Sequence, residues 1–468
     1  MSALAGRSRT YLLLYGGALL LAVIAGAVVP YSERVGGENG PYILLGALPV
    51  IAAAVAILLQ WRLGALLLAA ALPFEAILTL GATASGIKAL ALLTFVSCAL
   101  ALLTDPALFE RFARLWQKPL ALAVLAFMLW ASTSVLWAAD KAEALGAVVT
   151  FLGVLGLMVV IALLESRYLL LAWAALVTSA ALSVPAGYLL PLPEGSDMLV
   201  SGRFGPGGAG PNTYACVVAI AFFVAYFGLP KRYSIIAYLL APVFLYGIFA
   251  SESRTALIVL IVTPLLALFV PRSDSRLAWR IVPMYALGVA ALTVITLVIP
   301  SMGESASERY ATLSQVSSED TWNGRWSIWQ GALKLIALHP ILGVGAGNFA
   351  KFAMEHSATV AAHSANKAQV AGVAHNMFLG VASEFGLVGL ILFLTVIFFA
   401  FKAAWRIARG SGLGTGIFLG LIVFLIAGMT LTWETQKLVY VLFGSLLALQ
   451  LHDSAQHTPS PVERDATQ

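Results

Sequence analysis

Apolar runs long enough to cross a bilayer dominate this chain and limit what it can fold into. A hydrocarbon core about 30 Å thick takes roughly 20 residues of helix to span. Runs of that kind fall near 11–29, 42–60, 63–80, 86–103, 119–137, 145–164, 168–190, 212–229, 233–250, 254–270, 280–299, 377–401, 413–432 and 436–450. Gln60-Trp61-Arg62 is the whole gap between two of them. No soluble core buries so many such segments. Only 10% of the 468 residues are charged, where a soluble domain carries about 25%. The expected fold class is an all-α polytopic membrane protein with up to 14 spans, or 12 if two pairs are broken or re-entrant. Tyr11 to Val29 reads as a retained span, because no small-residue cleavage site follows it.

The charges between runs set an orientation. One set of alternate loops holds Arg7, Arg9, Arg62, Arg111, Arg114, Lys118, Arg167, Lys231, Arg232, Arg272, Arg276, Arg280, Lys402, Arg406 and Arg409. The opposite short loops hold Arg34, Lys141 and Lys437. Basic loops stay cytoplasmic, so both termini are expected inside. The net charge of +5 then reports topology, not nucleic acid. The organisation reads as N-terminal helices over 1–299, a large outer loop over 300–376, C-terminal helices over 377–450 and a polar, disordered cytoplasmic tail over 451–468. Cys98 and Cys216 lie in apolar runs and read as small core residues.

Two outer segments interrupt the apolar pattern. Prolines and glycines between 191 and 211 forbid a helix there and leave backbone amides able to face an anion. Arg203 lies in this connector. The loop over 300–376 reads as helix with breaks. Asn323-Gly324 is expected to turn the chain into a helix with Arg325 at its N-terminal start. Trp322, Trp326, Trp329, Leu333 and Ile336 recur at three and four residues, a stripe fit for a membrane interface. His339-Pro340 ends that helix, and Gly343, Gly345 and Gly347 form a flexible turn. Phe349 to Val373 reads as helix leading into His375.

Arginine and histidine are the chemistry that converges. Arg203, Arg254 and Arg325 each stand at the outer edge of an apolar run, and His375 stands at the outer start of another. Guanidinium forks suit a diphosphate. An imidazole beside them loses basicity and stays neutral, able to take a proton from a hydroxyl. Arg254 runs against the positive-inside trend and needs a negative partner, Glu252 or a phosphate. His339 is the rival histidine, with capping as its ordinary role. His356 and His363 lack the carboxylates or cysteines a metal site takes, and no pair of outer acids has a diagnostic spacing. Charges gather at run ends and not near mid-span, Glu75 and Lys88 coming closest to exceptions, which favours an enzyme at one face over a lipid-glycan transporter.

Several motifs carry a resemblance. Arg203-Phe-Gly-x-x-Gly, Ser253-Arg254-Thr-Ala, Gly324-Arg325-x-x-x-Trp329, His339-Pro-x-x-Gly343-x-Gly345-x-Gly-Asn-Phe and His375-Asn376-x9-Gly386-x-x-Gly389 resemble the bacterial O-antigen ligase and polymerase superfamily. The last of these is the most specific, and the motifs cover roughly residues 200–400. The resemblance implies a 12-helix, inverting glycosyltransferase of the GT-C class that needs no metal, nucleotide or other cofactor. It implies transfer of a glycan from undecaprenyl diphosphate to a sugar hydroxyl of lipid A-core, on the periplasmic face of the inner membrane. It also implies His375 as the catalytic residue and Arg254 and Arg325 as diphosphate ligands, with Arg203 as a further diphosphate-side candidate; Asn376, Glu384 and His339 are read beside it as supporting candidates. A polymerase or a protein O-oligosaccharyltransferase using the same donor are the alternative enzyme readings.

Overall fold

The structure is a computed structural model that describes residues 51–76, 78–80, 84–189, 202–206, 209–228, 234–268, 277–298, 319–356 and 373–456. The run near 11–29, the start of that near 42–60, Arg7, Arg9, Arg34, Lys231, Arg232, Arg272, Arg276, His363, most of the 191–211 connector and the tail from 457 lie outside them.

After helical residues 51–59 come α1 (Trp61–Ala71), α2 (Gly86–Thr104), α3 (Pro106–Leu115), α4 (Pro119–Thr133), α5 (Lys141–Ala162) and α6 (Ser166–Leu189). Then follow α7 (Pro211–Phe223, extended by a π-helical turn to Gly228), α8 (Ser234–Ala250), α9 (Arg254–Ala267) and α10 (Leu277–Val298). The outer loop supplies α11 (Glu319–Leu338) and α12 (Phe349–His356). The chain closes with α13 (Met377–Ala408), α14 (Gly412–Gly428) and α15 (Lys437–Gln456). A two-residue antiparallel pair, β1 (Thr79–Leu80) with β2 (Ala84–Ser85), precedes α2. Every apolar run from 63 onward thus overlaps a described helix, though that near 63–80 leaves the helix by Phe74 and ends in β1. Six described helices are long and apolar enough to cross a membrane, and five shorter apolar ones accompany them. This is a multi-pass membrane protein.

Sequence explains where the helices start. Asp105, Asp140, Ser253, Asn376 and Ser411 each precede a helix, and the side chain of each accepts from amides of its first turn. Helices apolar on all sides belong in the middle of a bundle. Residues 214–228 of α7 are buried without exception, as are 414–424 of α14. Cys98 and Cys216 are both buried core residues.

The up-and-down order fixes two ends. Trp137, Lys141, Asn376 and Lys437 lie at one end of the bundle, and Lys118, Glu165, Arg406 and His452 lie at the other. At the second end Arg62 pairs with Glu165 at 2.5 Å, and Arg111 donates to Leu164 O and to His452 Nε2, each at 2.7 Å. Because a guanidinium only donates, Nε2 is the bare nitrogen, and Nδ1–H donates to Ser166 Oγ at 2.9 Å. Burial and then Arg111 hold His452 down to about 4, consistent with a neutral ring. Glu75 forms an ion pair with Lys437 at the first end, which removes it from mid-span.

Two expectations about the outer loop change. Helix α11 begins at Glu319 and runs straight through Asn323-Gly324, so Arg325 sits in its second turn, not at its N-terminus. A helical glycine costs about 1 kcal/mol relative to alanine, which tertiary packing of Ile328, Ala332 and Leu335 overrides. The face that α11 buries is theirs, while Trp326 and Leu333 of the aromatic stripe point outward. The Gly343–Gly347 turn, in turn, is held in place and not flexible, for reasons that concern the site.

Candidate functional site

Gly386 interrupts α13 with φ +68° and ψ −172°, a conformation that L side chains avoid. The break turns the carbonyls of Ser383 and Glu384 away from the helix. Val344 N–H and Gly345 N–H donate to them, each at 2.9 Å, and Leu387 N–H donates to Pro340 O at 2.8 Å. Gly343, Gly345 and Gly347 all have positive φ, which lets the turn lie backbone to backbone on α13. A Cβ on Gly343 would stand 2.4 Å from Glu384 C, and one on Gly386 would stand 2.0 Å from Ile341 O. The spaced glycines of the two motifs therefore meet each other. Ala346 N–H donates to Ser134 Oγ at 3.0 Å, Trp137 Nε1 to Leu342 O at 3.1 Å and Trp130 Nε1 to Phe385 O at 2.9 Å. Asn348 and Asp140 exchange bonds of 2.8 and 3.1 Å. Glu384 accepts from Phe349 N–H at 3.4 Å, so it fastens the turn onto α13.

This frame carries His375. Its φ of +49° is left-handed, a strained setting for a residue with a side chain. The next residue, Asn376, holds it there. Asn376 Oδ1 accepts from Phe378 and Leu379 amides at 3.0 and 3.1 Å, and Nδ2 donates to Met429 O at 3.2 Å. Arg254 is placed by a matching device. Ser253 caps α9, and Thr255 Oγ1 lies 2.8 Å from Thr430 Oγ1. The residues after His375 and after Arg254 are thus tied to adjacent positions of the turn between α14 and α15.

Arg203 joins the same turn as Arg254. Its Nε donates to Ser251 O at 3.1 Å and Nη2 to Asn212 Oδ1 at 2.9 Å, while Phe204 N–H donates to Ala250 O at 3.0 Å. Glu252, beside them, has φ +49° and is almost buried. Arg203, Arg254 and Arg325 are each half-buried. Arg325 lies one turn before Ile328, whose cluster includes Ala374, the neighbour of His375. His339 follows α11 and is exposed, its ring edge-on to Phe352 at 6.1 Å.

The α14–α15 turn also holds groups that spacing gave no reason to choose. Thr432 Oγ1, Trp433 Nε1 and Glu434 Oε2 are buried and have no hydrogen-bond partner among the described residues. A buried polar atom left so costs about 1–3 kcal/mol. Glu434 Oε1 lies 4.0 Å from a Cβ built on Gly380, one turn beyond Asn376. Burial, and then the nearby Glu384, push the Glu434 carboxyl up to about 8. Glu434 is one of the outer acids whose spacing singles out no pair.

Beside Arg203 an apolar cavity of about 660 Å³ runs between α6, α8 and α10, lined by Val184, Tyr188, Val243, Tyr246, Leu287 and Val294 among others. Phe204 stacks on Tyr188 at 4.7 Å, so the arginine's neighbour forms part of the cavity's wall.

Fold and site together define a multi-pass helical membrane protein with cations, a strained histidine and orphaned polar groups collected at one end of the bundle. Residues 239–394, about a third of the chain, match the family model described as O-antigen ligase. The match takes in Arg254, Arg325, His339, His375, Asn376, Glu384, Gly386 and Gly389, and leaves Arg203 and Glu434 outside. It supports a function of the O-antigen ligase or polymerase type, on a lipid-linked glycan in a membrane. No curated protein matches the chain.

Proposed function

We propose that this protein is an O-antigen ligase. It transfers a glycan from undecaprenyl diphosphate to a sugar hydroxyl of lipid A-core, on the periplasmic face of the inner membrane, with both termini cytoplasmic. The observation that carries this reading is the shared tether. Asn376 and Thr255 bond to Met429 and Thr430, which brings the His375 and Arg254 motifs to one turn.

The donor's polyprenyl tail enters the apolar cavity beside Phe204, and its diphosphate meets Arg203, Arg254 and Arg325. The acceptor hydroxyl gives its proton to the imidazole of His375 as its oxygen attacks the anomeric carbon. The bond from that carbon to the diphosphate oxygen breaks with inversion, and the electron pair leaves on the diphosphate. No general acid is required, because the leaving group is already stabilised by cations. Glu434, neutral below about pH 8, adds no repulsion toward the diphosphate and can donate a hydrogen bond to a sugar. Thr432 and Trp433 offer further partners for sugar hydroxyls. Metal and nucleotide have no role in these steps, and the enzyme falls in the GT-C class.

Purified protein incubated with undecaprenyl diphosphate-linked glycan and lipid A-core, without nucleotide or divalent metal, is expected to yield the joined product. Product on a second lipid-linked glycan instead would identify a polymerase. His375→Asn keeps a residue that tolerates left-handed backbone and removes the base. Transfer by that variant at the wild-type rate would eliminate the histidine from the mechanism.

A further inference from the structure

The site has a second apolar approach. Leu136, Ile341, Leu342, Leu387 and Ile391 are all exposed, at 78%, 64%, 43%, 45% and 63%. They form one ledge. Trp137 bonds to Leu342, Leu387 to Pro340 beside Ile341, and Ile391 lies one turn along α13 from Leu387. Ile341 and Leu342 belong to the outer turn, not to a spanning helix. Further along α13 the exposed Leu394 and Phe398 continue the apolar surface down the helix. Trp130 and Trp137, with ring centres 5.6 Å apart, stand beside it, as aromatic residues do at a membrane interface.

Two exposed cations rim the ledge on this end of the bundle. Lys141 follows Asp140, which is bonded to Asn348, and Lys351 lies three residues beyond Asn348. The ledge is also remote from the polyprenyl cavity. Packing runs from α4 to α13, α14, α7, α8 and α10 in turn, with the ledge on α4 and α13 and the cavity at α8 and α10. His375 and Arg254 stand at the starts of α13 and α9, both packed on α14.

We infer that this ledge seats the acyl chains of the acceptor, with Lys141 and Lys351 meeting anionic groups of its head. The inference rests on the ligase reading. It has the two lipids reach His375 from different sides of the bundle, so neither must leave for the other to bind. An occupant with several acyl chains and a phosphorylated head matches an apolar surface edged by cations.

The test uses the full chain in nanodiscs, with two acceptors, lipid A-core and the same core fully deacylated with its phosphates kept. Binding of each is measured by native mass spectrometry, and transfer is measured as KM and kcat. Ile341→Ser with Leu387→Ser is expected to weaken binding of the acylated acceptor and raise its KM roughly tenfold or more, without raising the KM of the donor. The deacylated acceptor should bind the parent more weakly and lose nothing further in the variant. Lys141→Ala with Lys351→Ala, which leaves the apolar surface whole, should weaken both acceptors. An unchanged KM for the acylated acceptor in the serine variant overturns the proposal. So does an equal loss for both acceptors, or a protein dimer that the serine variant abolishes. A parent that binds the acylated acceptor through the ledge but makes no product keeps the ledge and sinks the ligase reading. A parent that does neither sinks both.

Discussion

Gly386→Ala is the sharpest test of how the site is built. The backbone at 386 occupies a region used almost only by glycine, and forcing another residue there costs about 1–3 kcal/mol. The new methyl would stand 2.0 Å from Ile341 O, 2.3 Å from Ile341 C and 2.7 Å from Leu342 N. All three are backbone atoms, so no side chain can swing aside. Relief requires the 340–345 turn to lift by an ångström or more, which adds about 1–3 kcal/mol of overpacking. Lifting it stretches the bonds from Val344, Gly345 and Leu387, each contributing about 1 kcal/mol. Glu384 and Asn348 would lose their registration with α12 and α5 in the same movement. The variant should therefore melt several degrees lower in detergent and transfer glycan at a small fraction of the parent's rate. Gly153→Ala in α5 is the control, because a Cβ there meets nothing within 4 Å. It should be neutral or gain up to about 1 kcal/mol from helix propensity. If Gly386→Ala melts with the parent and keeps its activity, the crossing of the two glycine motifs is not what holds the site.

Three further outcomes follow from the same geometry. Arg254→Lys keeps the charge but loses the planar fork, so the donor's KM should rise at least several-fold in a transfer assay; wild-type kinetics would count against a bidentate contact. Asn376→Ala removes a helix cap and the bond to Met429 together, so thermal stability should fall by about 1–2 kcal/mol and kcat should fall with it. Glu434 is raised in the fold from an ordinary value near 4.5 to about 8, so its neutral form is the one the fold favours. The stability it contributes is present at low pH and is lost as pH rises through 8. The melting temperature of the parent should decline across that window, and Glu434→Gln should flatten the decline.

The bundle was legible in the sequence because spanning helices announce themselves by length and apolar content alone. Each run from 63 onward overlaps a described helix, and the caps at Asp105, Asp140, Ser253, Asn376 and Ser411 are readable as polar residues standing at the edges of apolar runs. The outer loop was less legible. Asn323-Gly324 is a turn signal by local propensity, yet α11 passes through it because Ile328, Ala332 and Leu335 pack on Phe349 and Ala374. The glycines at 343, 345 and 347 suggested freedom, but their positive φ is what lets one backbone lie on another, and a close contact restricts motion. Glu434 was invisible for a different reason. Its burial, its orphaned oxygen and its neighbour Glu384 are products of tertiary structure, and nothing in the spacing of acids foretells them.

The strain at His375 and the tether at Met429–Thr430 bear on one question, how a membrane protein brings cations and a base together at one turn. An acid placed between the arginines would satisfy them and close the site to diphosphate. Two bonds of Arg203 go to a carbonyl and an amide oxygen, which orient the guanidinium. The acid that does come near His375's cap, Glu434, has its carboxyl raised by burial, so it leaves the positive field intact at neutral pH. Neutral groups take part in the positioning of each: Asn376 for His375, Ser253 and Thr255 for Arg254, Asn212 for Arg203. Guanidinium groups oriented in this way suit a ligand that brings negative charge of its own, as a diphosphate donor does.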